Sequence, residues 1–242
     1  AQRLGCRSVA FTYNDPVIFM EYAMDVADAC RAVGVKSVAV TAGYINDAPR
    51  REFFAHMDAA NVDLKGFTEA FYRDVCAGSL APVLDTLRYL KHETTVWFEL
   101  TTLLIPGLND GDAELDAMTR WVVEELGRDV PLHFTAFHPD YKLLDRPPTP
   151  AATLSRARTI ALSNGVRYAY MGNVHDEAGG STICHNCGER LIGRDWYTLT
   201  EWNLTGDGLC TRCDTRCAGV FDGPPGRWGA RRRPIRLAET VR

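Results

Sequence analysis

The chain has 242 residues, 46% of them hydrophobic and 24% charged, with a formal net charge of −4. At roughly 100 to 200 residues per domain, this allows one large domain or one domain with a small module, and the composition excludes disordered, collagen-like and low-complexity classes. With no apolar stretch near the roughly 18 residues of a membrane-spanning helix and no basic-then-apolar leader, the sequence reads as soluble, cytoplasmic and without a membrane partner. In chain order, residues 7–13 (RSVAFTY) predict a strand, and Pro16 opens a helix on which Ile18, Tyr22, Val26, Cys30 and Val33 recur at helical spacing before Gly34 stops it. Residues 35–41 predict the next strand, 48–57 a short helix and 60–64 a third strand. Two helical stretches follow, the second placing Leu80, Val83, Leu84, Leu87 and Leu90 on one face, and then a strand at 94–101 (TTVWFELT), rich in β-branched and aromatic residues. Leu115, Met118, Val122 and Leu126 mark another helix, 132–137 a strand, 153–163 a helix and 166–171 a sixth strand.

Strand and helix alternating with short connections require right-handed crossovers, so the predicted class is α/β: a parallel barrel or an open doubly wound sheet. Both place chemistry where strands end. Those positions are loaded here: Tyr13, Asn14 and Asp15 after the first strand, Thr41 to Tyr44 after the second, Asp63 and Lys65 after the third, and His138, Asp140, Tyr141 and Lys142 after the fifth. Each also has a purely structural explanation. Asp15 before Pro16 is good helix-capping chemistry. Gly43 suits a strand exit that needs positive φ. Asp63 and Lys65, two apart on one face, can simply pair with each other. The HPDYK loop can be solvated coil.

Eight cysteines divide unevenly, with Cys6, Cys30 and Cys76 scattered and Cys184, Cys187, Cys210, Cys213 and Cys217 clustered. Two CxxC turns can aim four thiolates at one ion, so the expectation is a structural zinc ribbon at 181–221, with Cys217 a spare or alternative ligand and redox dithiols the competing reading. A closed four-thiolate shell leaves no position for water, so this metal is not the catalyst. Residues 227–242 hold six arginines against Glu239, which leaves −9 on the rest of the chain. Such an acidic body argues against nucleic acid as a partner, and residues 222–242 read as a basic, mobile extension.

Taken in order, Tyr13-Asn14-Asp15-Pro16, 41–44 (TAGY), 61–66 (NVDLKG), 105–110 (IPGLND), 138–142 (HPDYK) and the CxxC pairs resemble the radical SAM enzyme of the AmmeMemoRadiSam system, which is similar to the pyruvate formate-lyase activating enzymes. The resemblance runs to about Phe221. It implies a partial (β/α)6 barrel over 1–175 that binds S-adenosylmethionine and a [4Fe-4S] cluster. It also implies an electron donor such as flavodoxin or ferredoxin, and a protein or small-molecule substrate. By position, Tyr13 would belong to the cofactor site, Asn14 and Asp15 would meet the methionyl amine, Thr41 and Gly43 would line the next loop, Asp63 and Lys65 would bracket the cofactor's polar groups, and His138 would sit near adenine or substrate. Ala42 stands where the family usually has asparagine. The family's CxxxCxxC cluster loop is absent, so the first barrel strand with its loop is expected upstream of residue 1, and this chain by itself is expected to be inactive. Two other readings compete: Lys65 as a Schiff-base amine tuned by Asp63, and the ribbon with its tail as an interaction module on an inactive barrel.

Overall fold

The computed structural model describes residues 1–221, 225–226 and 229–234. Of the basic extension expected at 222–242, residues 222–224, 227–228 and 235–242 lie outside the described residues. The chain divides into two compact units, Ala1–Val174 and His175–Arg242.

In the first unit all six expected strand segments form: β1 (Ser8–Phe11), β2 (Lys36–Thr41), β3 (Ala59–Asp63), β4 (Trp97–Leu104), β5 (Leu132–Ala136) and β6 (Ala169–Gly172). They make one sheet in the order β1-β2-β3-β4-β5-β6, every neighbouring pair parallel. A doubly wound sheet reverses its order partway; this one does not, so right-handed crossovers put successive helices on the same side, as in a barrel wall. The connecting helices are α1 (Met20–Ala32), α2 (Asp47–Ala55), α3 (Glu69–Asp74), α4 (Ala81–Glu93), α5 (Asp112–Trp121) and α6 (Ala151–Ser163). Strand β4 starts three residues later than the composition of 94–101 implies. Thr94 closes α4 instead, its hydroxyl donating to the Leu90 carbonyl at 2.7 Å.

Val62, Leu100, Leu132 and Phe134 lie on one face of the sheet and are completely buried together with Leu87 of α4 and Leu115 of α5. Burial of each such side chain contributes about 1.5–3 kcal/mol. The alternate residues Asn61, Asp63, Glu99, Thr101, His133 and Tyr170 are only half-buried. A parallel sheet with helices on both faces reads as continuous apolar strands; this alternation marks a sheet whose helices, among the described residues, cover one face.

Helix α1 corrects one expectation. Ile18, Tyr22 and Val33, read as its core stripe, are exposed, and the buried residues are Ala23, Ala27 and Cys30. Small side chains let the helix approach the sheet closely, and the larger apolar residues are displaced to the outer phase. The apolar residues of α4 and α5 pack as their spacing implies, with Val83, Leu87 and Leu90 buried on α4 and Leu115 and Met118 on α5. The helical path continues from α5 into a π turn at Val122–Leu126 whose Val122 and Leu126 are also buried.

The second unit holds a short helix α7 (Glu177–Gly180) and an antiparallel sheet of β7 (Thr182–Ile183), β8 (Arg190–Asp195) and β9 (Thr198–Trp202) in that order. Among the described residues, no helix is long and apolar enough to cross a membrane.

Candidate functional site

The end of β1 is built around Asp15. Its Oδ1 accepts the Val17 amide at 3.1 Å, which starts the 3₁₀ turn Pro16–Phe19. The same carboxylate receives the Thr41 hydroxyl at 2.8 Å and the Ala42 amide at 2.7 Å from the end of β2. Thr41 Oγ1 in turn accepts the Gly43 amide at 3.1 Å. Gly43 has φ 65°, and a Cβ there would stand 2.8 Å from Val62 Cγ1, so both backbone and space require glycine. Just before this anchor, Tyr13 and Asn14 both have positive φ, 60° and 87°, and Tyr13 is 97% exposed. Two consecutive left-handed residues, one of them a tyrosine, are costly conformations that the surrounding bonds must hold in place.

Strand β3 pairs with β2 so that Thr41 faces Val62, which brings Asp63 to the same end of the sheet. Lys65 Nζ lies 2.7 Å from Asp63 Oδ2, both side chains partly open to solvent. The backbone beneath them is fixed. The Lys65 amide donates to the Tyr72 hydroxyl at 3.1 Å, and the Lys65 carbonyl accepts from Asn109 Nδ2 at 2.6 Å. Asn109, almost wholly buried, also donates to the Leu103 carbonyl and accepts the Ile105 amide. The IPGLND motif is therefore a clamp between the ends of β3 and β4. Burial pushes the Tyr72 phenol far above its usual range and keeps it neutral.

The HPDYK loop after β5 is exposed and closes on itself: Asp140 Oδ1 accepts the Tyr141 amide at 2.7 Å, and Lys142 Nζ stands 5.2 Å from the Tyr141 ring centroid. His138 is exposed and has no hydrogen-bond partner among the described residues. Of the expected rim residues, the structure joins Asp15 with Thr41 and Gly43, and Asp63 with Lys65; Tyr13, Asn14 and His138 stand in loops apart from these bonds.

Attention to strand ends misses a further group. On the half-buried face of the sheet, Glu99 Oε2 lies 2.6 Å from His133 Nε2, and Glu99 Oε1 accepts the Trp97 indole N–H at 3.2 Å. The His133 ring stacks on Tyr170 at 4.9 Å between centroids, with planes 24° apart. Thr101 donates to Asn61 Oδ1 at 2.9 Å on the same face. The signal in the sequence was the polar alternation Trp97, Glu99, Thr101 within TTVWFELT.

In the second unit the sulfurs of Cys184, Cys187, Cys210 and Cys213 all lie within 4.8 Å of one another. Cys184 to Cys213 and Cys187 to Cys210 are each 3.7 Å. Metal–sulfur bonds of about 2.3 Å around one tetrahedral ion put the sulfurs about 3.8 Å apart, so the set fits a single ion. Bonds from the Thr215 hydroxyl and amide bring the Cys213 thiol down to about 6. The Glu189 amide favours the Cys187 thiolate, but desolvation and the three neighbouring thiols push that group up to about 12. Cys217, buried nearby in sequence, is not one of the four.

Among the described residues the four cysteines are the only converging metal-ligating group, and none of them is in Ala1–Val174. Cys6 is exposed ahead of β1, Cys30 is buried on α1 and Cys76 follows α3. The described residues of this barrel wall do not form a cluster-binding set.

No family model matches the chain. A curated but uncharacterized protein of Methanocaldococcus jannaschii is 42% identical over 204 residues, covering 84% of this chain and 60% of that protein. The chain thus spans 60% of the length of this curated relative. Among solved structures, a domain of a pyruvate-formate lyase-activating enzyme from Bacteroides vulgatus superposes with a TM-score of 0.60 at 16% identity, covering 68% of this chain and 98% of that one. A radical SAM methyltransferase from Sphaerobacter thermophilus gives 0.56 at 15% identity over 70% of this chain and 52% of its own. SuiB from Streptococcus suis, bound to S-adenosylmethionine, gives 0.56 at 10% identity over 69% and 40%. The sequentially wound parallel sheet of this chain has the fold that these radical SAM proteins share.

Proposed function

We propose that this chain is the barrel portion of a radical SAM enzyme of the AmmeMemoRadiSam type, related in chemistry to the pyruvate formate-lyase activating enzymes. The observation that carries the proposal is the rim itself. The winding matches that of radical SAM structures, and the strand ends that match the family's motifs carry a built hydrogen-bond framework at Asp15, Thr41, Gly43, Asp63 and Lys65. In such enzymes S-adenosylmethionine and a reduced [4Fe-4S] cluster, fed by a flavodoxin- or ferredoxin-like donor, supply a 5′-deoxyadenosyl radical that removes hydrogen from a substrate.

The role of this chain's residues in that reading is to bind and orient the cofactor. Asp15 already accepts three donors, so it acts mainly by fixing the loop that presents Tyr13 and Asn14; the amide side chain of Asn14 then meets the amino-acid end of the cofactor. Asp63 and Lys65 offer one acceptor and one donor group to its carboxylate and ribose. The cluster ligands belong to a CxxxCxxC segment outside this chain, on a strand that would be the seventh of the sheet. The four cysteines of the second unit hold zinc as a structural ion.

Anaerobic reconstitution with iron and sulfide tests the division of labour. A gene product that carries the CxxxCxxC segment should bind four irons and four sulfides beyond the metal of its thiolate ribbon, and this 242-residue chain should bind no sulfide. Sulfide bound stoichiometrically by this chain, or none bound by the longer protein, would overturn the assignment.

A further inference from the structure

The pair formed by Glu99 and His133 lies away from the strand ends, in the middle of the sheet face that the helices leave uncovered. Three features make it a built group rather than a chance surface contact. First, the partners come from adjacent strands in register, with Thr101 of β4 opposite His133 and Glu99 one step behind on the same face, so the 2.6 Å contact is set by the sheet and not by a loop. Second, both partners are held from the other side. Trp97 donates its indole N–H to Glu99, and Tyr170, opposite His133 on β6, stacks on the imidazole. Third, about a third of each side chain remains accessible, 31% for His133 and 35% for Glu99. A carboxylate on Nε2 fixes that nitrogen as the protonated one and leaves Nδ1 as the acceptor. Among the described residues, Nδ1 has no hydrogen-bond partner.

The surroundings narrow the kind of compound that Nδ1 would receive. An acceptor nitrogen offers nothing to a group that itself only accepts, which disfavours phosphates and carboxylates, and among the described residues Asp63 lies on the same face. The rings of Trp97, His133 and Tyr170 offer flat apolar area beside the acceptor nitrogen, suited to a planar or cationic group. We infer that the sheet face that no described helix covers is a ligand site in which His133, set by Glu99, accepts a hydrogen bond from an uncharged or cationic nitrogen compound: an amine, amidine, amide or nitrogen heterocycle. Under the proposed function, this is where the compound acted upon is held, apart from the rim that takes the cofactor. His133 touches that compound, and Glu99 is a positioning residue.

The test requires neither a cluster nor S-adenosylmethionine, so its failure is separate from failure of the radical SAM reading. Benzamidine and benzoate share a ring and differ in charge and in hydrogen-bond donors. In the full chain with isotope-labelled histidine, the His133 ring signals, assigned by their loss in His133→Gln, should show the Nε2–H tautomer and should shift saturably with benzamidine but not with benzoate. Glu99→Gln should abolish the tautomer preference and weaken benzamidine binding at least tenfold, and Glu99→Asp should restore part of both. Equal shifts with the two probes, no shift with benzamidine on the wild-type chain, or unchanged binding in a folded Glu99→Gln variant would overturn the inference. The wild-type comparison of the two probes stands even if the variants do not fold.

Discussion

Asp15 Oδ2 accepts the amide of Ala42 at 2.7 Å across the gap between the ends of β1 and β2. One side chain thereby starts the helical segment after its own strand and fixes the exit of the next. The bond uses the backbone of residue 42, so it does not depend on the side chain there.

Removing that carboxylate should be felt as stability. Asp15→Ala leaves the Val17 and Ala42 amides and the Thr41 hydroxyl without their acceptor, which costs about 1–3 kcal/mol. At about 2–4 °C per kcal/mol for a domain of this size, thermal unfolding followed by circular dichroism should show a fall of several degrees. An unchanged Tm would mean that the carboxylate does not bind the two strand ends together.

The four-cysteine group should hold one zinc per chain. Cys184→Ser should lower the zinc content measured by elemental mass spectrometry, whereas Cys217→Ser should retain it, because Cys217 lies outside the converging set. Stripping the metal with a strong chelator should unfold the β7-β8-β9 sheet, seen as lost amide protection, since the metal joins the two turns that flank its strands. Full zinc occupancy in Cys184→Ser would contradict the ligand assignment.

Glu114 supplies a pH dependence of definite sign. Half-buried on α5, it accepts the Phe67 amide at 2.6 Å, yet desolvation outweighs that bond and raises its carboxyl above the ordinary 4.5. The folded state therefore holds this proton more tightly than the unfolded chain, so its contribution to stability falls as pH rises from about 4.5 through the folded pKa. Urea unfolding should find Glu114→Gln close to wild type at pH 4 and more stable than wild type at pH 7. A variant that loses stability at pH 7 relative to pH 4, compared with wild type, would reverse the sign.

Lys65 should not behave as a Schiff-base amine. Its Nζ is engaged by Asp63 at 2.7 Å, an ion pair that a carbonyl carbon would have to displace. Borohydride treatment in the presence of pyruvate should leave the peptide containing Lys65 at its unmodified mass, and a reduced adduct there would revive carbonyl chemistry on this barrel.

Much of the fold was legible because strand-forming runs and helical stripes alternate without ambiguity from residue 7 to 171. The choice between barrel and doubly wound sheet was not legible, because strand order is a long-range property that no local pattern encodes. The stripe of α1 misled for a related reason. Spacing located a helix, but which phase is buried was decided by how closely alanines let it approach the sheet. At the rim, residue types after each strand pointed to Asp15, Thr41 and Lys65, while the bond between Asp15 and Thr41 came only with the pairing of β1 and β2. Glu99 and His133 were passed over because 34 positions separate them in sequence and neither ends a strand. The four cysteines were the most legible feature, since spacing alone dictates that two CxxC turns can meet.

The central claim is that these strand ends serve radical chemistry on S-adenosylmethionine. Its most direct test uses a gene product that carries the CxxxCxxC segment together with these residues, reconstituted without oxygen, reduced with dithionite and given S-adenosylmethionine, with 5′-deoxyadenosine followed by liquid chromatography and mass spectrometry. The account predicts reductant-dependent release of 5′-deoxyadenosine that is strongly reduced in Asn14→Ala. A filled four-iron protein that binds S-adenosylmethionine and releases no 5′-deoxyadenosine, or one that does not bind it at all, would contradict the account.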